Sequence, residues 1–102
     1  MTNVPAQALS LMNDPFVKEQ AVLWAKKTLR DESPPPEARI DRMYREAFAR
    51  GPTAEERVAA LEFLATQAAE YGVSLTGQPR HEATWVDLAH ALITTKEFIF
   101  VP

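Results

Sequence analysis

Apolar positions along this chain recur at three-and-four spacing, the period of helices packed along one face, and proline and glycine break the pattern into segments. Asn13-Asp14-Pro15 is a helix start: Asp14 can accept from the free N–H groups and Pro15 suits the first helical position. A helix is predicted over 15–30, with Phe16, Val17, Ala21, Trp24 and Ala25 on one broad face and Val22 and Leu29 flanking it. The run Asp31-Glu32-Ser33-Pro34-Pro35-Pro36 must be a stiff, extended connection. Pro36 then opens a helix over 36–50, where Ile40, Met43, Tyr44, Ala47 and Phe48 share a face. On its other side, Asp41 with Arg45 and Glu46 with Arg50 have the spacing of i,i+4 ion pairs.

Gly51-Pro52 should stop that helix, and Thr53 with Glu56 forms a capping box for the next, predicted over 54–71. Its expected core stripe is Val58, Leu61, Leu64, Ala65, Ala68 and Tyr71, and Gly72 ends it. After an irregular loop over 73–82, Thr84 is expected to cap a last helix over 84–94, which carries Trp85, Leu88, Ala89, Leu92 and Ile93 on one face. A short helical turn over 6–12 and an apolar tail, Glu97-Phe98-Ile99-Phe100-Val101-Pro102, complete the reading. The expectation is an all-α fold: a single compact bundle of four main helices, with 36–50 and 54–71 paired as an αα-hairpin.

Composition narrows the possible functions. The chain has 102 residues, an ordinary globular share of apolar and charged residues, and a formal net charge of −3. A slightly acidic domain lacks the basic footprint of nucleic-acid or anionic-membrane binding. No apolar run approaches the roughly 20 residues of a membrane span, and the first residues lack the pattern of a signal peptide. Cysteine is absent, which excludes disulfides, thiolate metal sites, cysteine nucleophiles and c-type haem attachment within these residues.

Candidate chemistry is sparse. His81 and His90 are the only histidines, too few for a zinc site without cysteine. His90 follows Asp87 by three residues, so the two can pair on the surface. Glu55, Glu56, Glu62, Glu70, Glu82 and Asp87 fall mostly on expected polar faces, not in one cleft. Ser10, Ser33 and Ser74 have no nucleophile-elbow context, and no glycine-rich phosphate loop is present. Read as a helix-turn-helix, the 36–71 hairpin would present a glutamate-rich second helix to phosphate, which repels it. No catalytic, cofactor or metal residue is therefore assigned.

Two apolar features are in excess of what a small bundle needs. Phe63 falls off the expected stripe of its helix, beside Ala59 and Ala60, and the tail residues Phe98, Ile99, Phe100 and Val101 are costly to leave in water. These five residues form the candidate interaction surface.

Several ordered stretches resemble a known family. They are Pro5-Ala6-Gln7-Ala8-Leu9-Ser10-Leu11-Met12-Asn13-Asp14-Pro15-Phe16-Val17, then Ala38-Arg39-Ile40-Asp41-Arg42-Met43-Tyr44-Arg45-Glu46-Ala47, then Pro52-Thr53-Ala54-Glu55-Glu56. Trp85-Val86-Asp87-Leu88-Ala89-His90-Ala91-Leu92 and Glu97-Phe98-Ile99-Phe100-Val101 follow. Taken in order, the set resembles the planctomycete-specific domain of unknown function fifteen-fifty-three. Thr94-Thr95-Lys96 and Phe48-Ala49-Arg50-Gly51 depart from its usual pattern.

The resemblance implies that these residues are the C-terminal portion of a longer domain. That domain ends large exported proteins whose earlier parts include another domain of unknown function and often a cytochrome c-like one. It implies no catalytic residue and no haem site here. A weaker resemblance, to the helical modules called domain of unknown function forty-two-fourteen, rests on the Tyr-Arg helix, the Gly-Pro-Thr turn and the terminal Glu-Phe. The function expected is a non-catalytic structural or interaction module, partnered by other domains of a parent protein or by a homo-oligomer. The alternative is one wall of an active site completed by missing upstream domains, with Asp87 and His90 converging on Tyr44 or Arg45.

Overall fold

The computed structural model describes residues 14–95. The expected turn over 6–12 and the tail over 97–102 lie outside them. Among the described residues the chain is all-α: α1 (Pro15–Leu29), α2 (Pro36–Phe48), α3 (Ala54–Glu70) and α4 (Glu82–Ile93).

Local chemistry sets the starts and stops. Asp14 Oδ1 accepts from the Phe16 N–H at 2.8 Å, and Pro15 occupies the first helical position of α1. Pro35 is the N-cap of α2 and Pro36 its first residue, so the three-proline run both stiffens the connection and seeds the helix. Thr53 and Glu56 close the full capping box at the head of α3: Glu56 N–H donates to Thr53 Oγ1 and Thr53 N–H to Glu56 Oε1. At its other end, Gly72 takes φ 75°. The Val73 N–H reaches Ala68 O and the Gly72 N–H reaches Ala69 O, a Schellman closure.

Two boundaries differ from expectation by two residues, the others by one at most. α2 ends at Phe48, not at residue 50, because Ala49 and not Gly51 takes the left-handed conformation, φ 58°, with its N–H on Arg45 O. The turn is completed before the glycine is reached. α4 begins at Glu82, with His81 as N-cap. Thr84 therefore lies within the first turn, buried, and its hydroxyl meets His81 Nδ1 at 2.9 Å.

The four helices close in a ring. α1 packs most extensively on α4, α4 on α3, α3 on α2 and α2 on α1, while α1 and α3 stand diagonally and barely touch. Small side chains explain the α1–α4 contact: Ala21 and Ala25 of α1 and Ala89 of α4 are fully buried and let the backbones approach. The core between the helices is filled by Trp85, Ile40, Met43, Leu64 and Val17. The Trp85 indole N–H donates to Pro79 O at 2.8 Å, which pins the 71–81 connection across the end of the bundle.

The faces of α2 and α4 match the expected stripes in full. That of α3 does not. It buries Ala60, Leu64 and Ala68, with Leu61 and Phe63 packed against the core at its edges, while Val58 and Tyr71 are exposed. The buried face is turned by roughly 50° from the expected stripe, about half of one residue step. On α1, Phe16 also points outward, 56% exposed.

Candidate functional site

Among the described residues, four groups of polar side chains join different elements. The most buried is Arg39. It sits at the edge of the α2 apolar stripe, beside Ile40, and is only 2% exposed. Its guanidinium donates to Thr28 O at 2.6 Å and to Asp31 O at 2.7 Å. Arg80, from the 71–81 connection, donates to Leu29 O at 2.7 Å and pairs with Glu32 at 3.3 Å. Two arginines thus satisfy the open carbonyls at the end of α1, where the helix dipole also favours positive charge. Burial, with Arg80 nearby, pulls the Arg39 pKa below its ordinary value, and Asp31 works against that shift. Ser33, through its N–H and hydroxyl, in turn holds Asp31 below the usual carboxylate range.

Glu46 of α2 is the second centre. It accepts from the Trp24 indole N–H at 2.8 Å and pairs with Lys27 at 2.9 Å and Arg42 at 3.4 Å. Burial opposes its ionisation, but the Trp24 and Lys27 hydrogen bonds and the charges of Lys27 and Arg42 outweigh it, so its pKa falls. The third group ties α2 to α3. Arg50 forms a two-pronged pair with Glu56 at 2.8 and 2.9 Å, and Arg57 reaches back to Asp41 at 3.0 Å. Asp41 thus bonds across to α3 instead of along its own helix to Arg45. The Arg50 and Thr53 hydrogen bonds hold Glu56 down to a pKa of about 2.

The fourth group comes nearest to a reactive arrangement. Asp87 Oδ2 accepts from the Tyr71 hydroxyl at 2.7 Å and from Gln67 Nε2 at 2.8 Å. The Tyr71 ring lies against His81, centroids 5.3 Å apart. The hydrogen bond to Asp87 raises the Tyr71 pKa. His90 does not pair with Asp87 as expected. Both line a cleft of about 240 Å³ between α1 and α4, with Lys18, Ala21, Val22 and Val86, and His90 Nε2 is buried there without a hydrogen-bond partner. Neither Tyr44, whose ring is edge-on to Phe48 at 5.1 Å, nor Arg45 lines that cleft. Among the described residues, no three histidines or carboxylates come together in a way that could hold a metal ion.

Two open depressions lie on the apolar surface of the described residues. One, of about 480 Å³, lies between α2, α3 and the 71–81 connection, lined by Pro36, Leu61, Ala65, Leu75 and Pro79. The other, about 390 Å³, runs along the outer side of α3 over Ala54, Val58 and Ala59, between Glu55 and Glu62. Of the five residues expected to form an interaction surface, Phe63 is partly buried against the core, and Phe98, Ile99, Phe100 and Val101 lie outside the described residues. Sequence reasoning missed Arg39 and Arg80. The available signal for Arg39 was its position, a charged residue in register with the buried face of α2 one step before Ile40.

Comparison with known proteins yields a family. The model of PSD1, protein of unknown function (DUF1553), matches residues 1–64, which takes in α1, α2 and the first two-thirds of α3. The resembling stretches over 85–92 and 97–101 lie beyond that match. No curated protein and no solved structure matches the chain. Among the described residues, no helix is long and apolar enough to cross a membrane.

Proposed function

We propose, from the premise that the chain belongs to the DUF1553 family of proteins of unknown function, that it is a non-catalytic helical interaction module, the C-terminal portion of a larger exported protein. One observation carries this reading: the strong polar groups are spent on joining helices, while apolar side chains are left on the outside. Arg39, Arg80, Glu46, Glu56 and Asp87 each bond across elements. Phe16, Leu23 and Val58 are meanwhile each more than half exposed. Phe63, which is partly buried, and the residues Phe98, Ile99, Phe100 and Val101 are proposed as further contact residues of the module.

The test is to add the polypeptide encoded upstream of Met1 in trans and follow the amides of this chain. Shifts confined to outward residues such as Leu23 and Val58 are the expected result. Absence of any shift, with turnover by the joined protein that is lost in Asp87→Asn, overturns the proposal.

A second reading has its own observation in favour. The cleft beside Asp87 and His90, with an unpartnered ring nitrogen, suits a wall of an active site completed by other domains. It predicts that His90→Gln abolishes an activity of the joined protein while leaving its melting temperature within a few degrees.

A further inference from the structure

The outer side of α3 lies beside the point where α4 ends. Gln67, near the end of α3, hydrogen-bonds to Asp87 in the first half of α4, so the two helices run antiparallel. Eight residues back from Gln67 stands Ala59, and eight on from Asp87 stands Thr95. Each step is about 12 Å along a helix, so Ala59 and Thr95 are level. Ala59, Phe63 and Gln67 form an i,i+4 row, which puts Ala59 and the partly buried Phe63 on the flank of α3 that faces α4. Val58, 54% exposed, lies one step farther round, in the open depression between Glu55 and Glu62. Neither glutamate makes an ion pair among the described residues.

We propose that this chain's own tail occupies the outer side of α3, with Phe98 on Ala59 and Phe100 on Val58. This rests on the module reading and deepens it: the tail masks the α3 part of the surface, and a partner has to displace it. The reach fits. Adjacent helix axes are about 8–10 Å apart, and Phe98, the third residue after Thr95, is carried about 10 Å in extended form. Phe100 comes about 7 Å farther, across to Val58. In an extended segment alternate residues share a side, so Lys96, Phe98 and Phe100 face α3 while Glu97 faces water. Lys96 then meets the unpaired rim of Glu55 and Glu62.

Four observations select the tail for this surface. The residues before Asp14 leave from the head of α1, the helix diagonal to α3. The α1–α4 cleft is also close to Thr95, but it presents Lys18, like-charged with Lys96, at the end where the tail would enter. The depression over Leu61 and Ala65 lies by Pro36 and Pro79, at the other end of the bundle. A segment tethered one helix away also has an effective concentration on the order of millimolar, above that of a second copy in ordinary solution.

The experiment is NMR spectroscopy of the isotope-labelled 102-residue chain, free of any partner and repeated on dilution. Nuclear Overhauser contacts are expected from the Phe98 ring to the Ala59 methyl and from the Phe100 ring to the Val58 methyls, unchanged by dilution. Phe98→Ser with Phe100→Ser removes the upfield ring-current shift of those methyl signals. Ile99→Ser with Val101→Ser leaves it in place, because those side chains face away. Lys96→Glu lowers the intensity of the contacts through repulsion by Glu55 and Glu62.

Random-coil shifts throughout 96–102, with no contact to α3, overturn the proposal. So do contacts to Val22 or Val86 in the α1–α4 cleft, contacts that vanish on dilution, or equal effects of the two double variants. The substitutions lie outside the four helices, and circular dichroism checks that the bundle is intact in each. The upstream polypeptide is absent from every measurement, so failure here is distinct from failure of the module reading.

Discussion

α2 and α3 are neighbours in the chain and partners in the bundle, yet they place their side chains by different rules. α2 turns Ile40, Met43, Tyr44, Ala47 and Phe48 inward, and its exposed side is charged. α3 buries only Ala60, Leu64 and Ala68, a ridge of every fourth residue, and carries Val58, Ala59, Ala65 and Ala69 outside as well. For α2 the amphipathic pattern alone chooses the buried face. For α3, apolar on several sides, the choice falls to its neighbours: α2 and α4 between them leave room for a narrow ridge. The same indifference leaves Val58, Ala59, Ala65 and Ala69 exposed on the outer side of α3. The exposed apolar side of α3 is thus the by-product of a helix whose own pattern underdetermines its orientation.

The largest test of that contrast is Leu64→Ala. Leu64 is fully buried at the centre of the α3 ridge, so its truncation should cost about 2–5 kcal/mol in urea unfolding. A cost below about 1 kcal/mol would mean that the ridge is misplaced. Arg39→Leu comes next. It keeps the apolar packing at that position of α2 but orphans the buried carbonyl of Thr28 and the partly buried one of Asp31. A loss of about 2–4 kcal/mol is expected, about 1–3 for the buried Thr28 carbonyl and about 1 for that of Asp31, which water reaches in part. Near-neutral behaviour would show that water can replace the guanidinium.

Ala49→Gly should act in the opposite direction. Relief of the left-handed strain at φ 58° exceeds the flexibility that glycine adds to the unfolded chain, so a gain of about 0.5–1 kcal/mol is expected, seen as a higher melting temperature.

Glu56 sharpens the α2–α3 link through pH. Its pKa falls from 4.5 to about 2, so the unfolded chain binds the proton more readily. The stabilisation is complete above pH 4.5 and is lost as pH falls toward 2. The carboxylate is substantially exposed, so solvent screening leaves the Arg50 pair worth less than about 1 kcal/mol. Glu56→Gln should flatten the slope of stability against pH in that window, and an unchanged slope would assign the acid sensitivity to other carboxylates. Smallest of all, Val58→Ala should change stability by less than about 0.5 kcal/mol, as for an exposed position. A cost matching that of Leu64→Ala would abolish the distinction between the two sides of α3.

The parts of this fold readable in the residues are those governed by short range. Asp14, the Thr53–Glu56 box, the proline run and Gly72 act within a few residues of themselves, and each sits in the structure where its chemistry requires. The stripes of α2 and α4 belong to the same class. The candidate site was far less legible. Asp87 has its partners, Gln67 of α3 and Tyr71 at its C-cap, 20 and 16 residues away, and no spacing rule points to them. His90 was read as a surface partner of Asp87, yet its Nε2 is buried. Local rules also erred where two residues compete for one role: Gly51 is the better left-handed residue, but the chain turns at Ala49.

Sequence alone determined that this protein is helical and, to within two residues, where its helices begin and end. Helix periodicity, capping and proline geometry are properties of adjacent residues and need no neighbour to act. Only the tertiary structure decided which side of α3 is buried, that Arg39 and Arg80 close the end of α1, and that Asp41 and Glu46 bond across helices. Those outcomes depend on burial and on carbonyls left open at a helix end, which exist only once the helices have met.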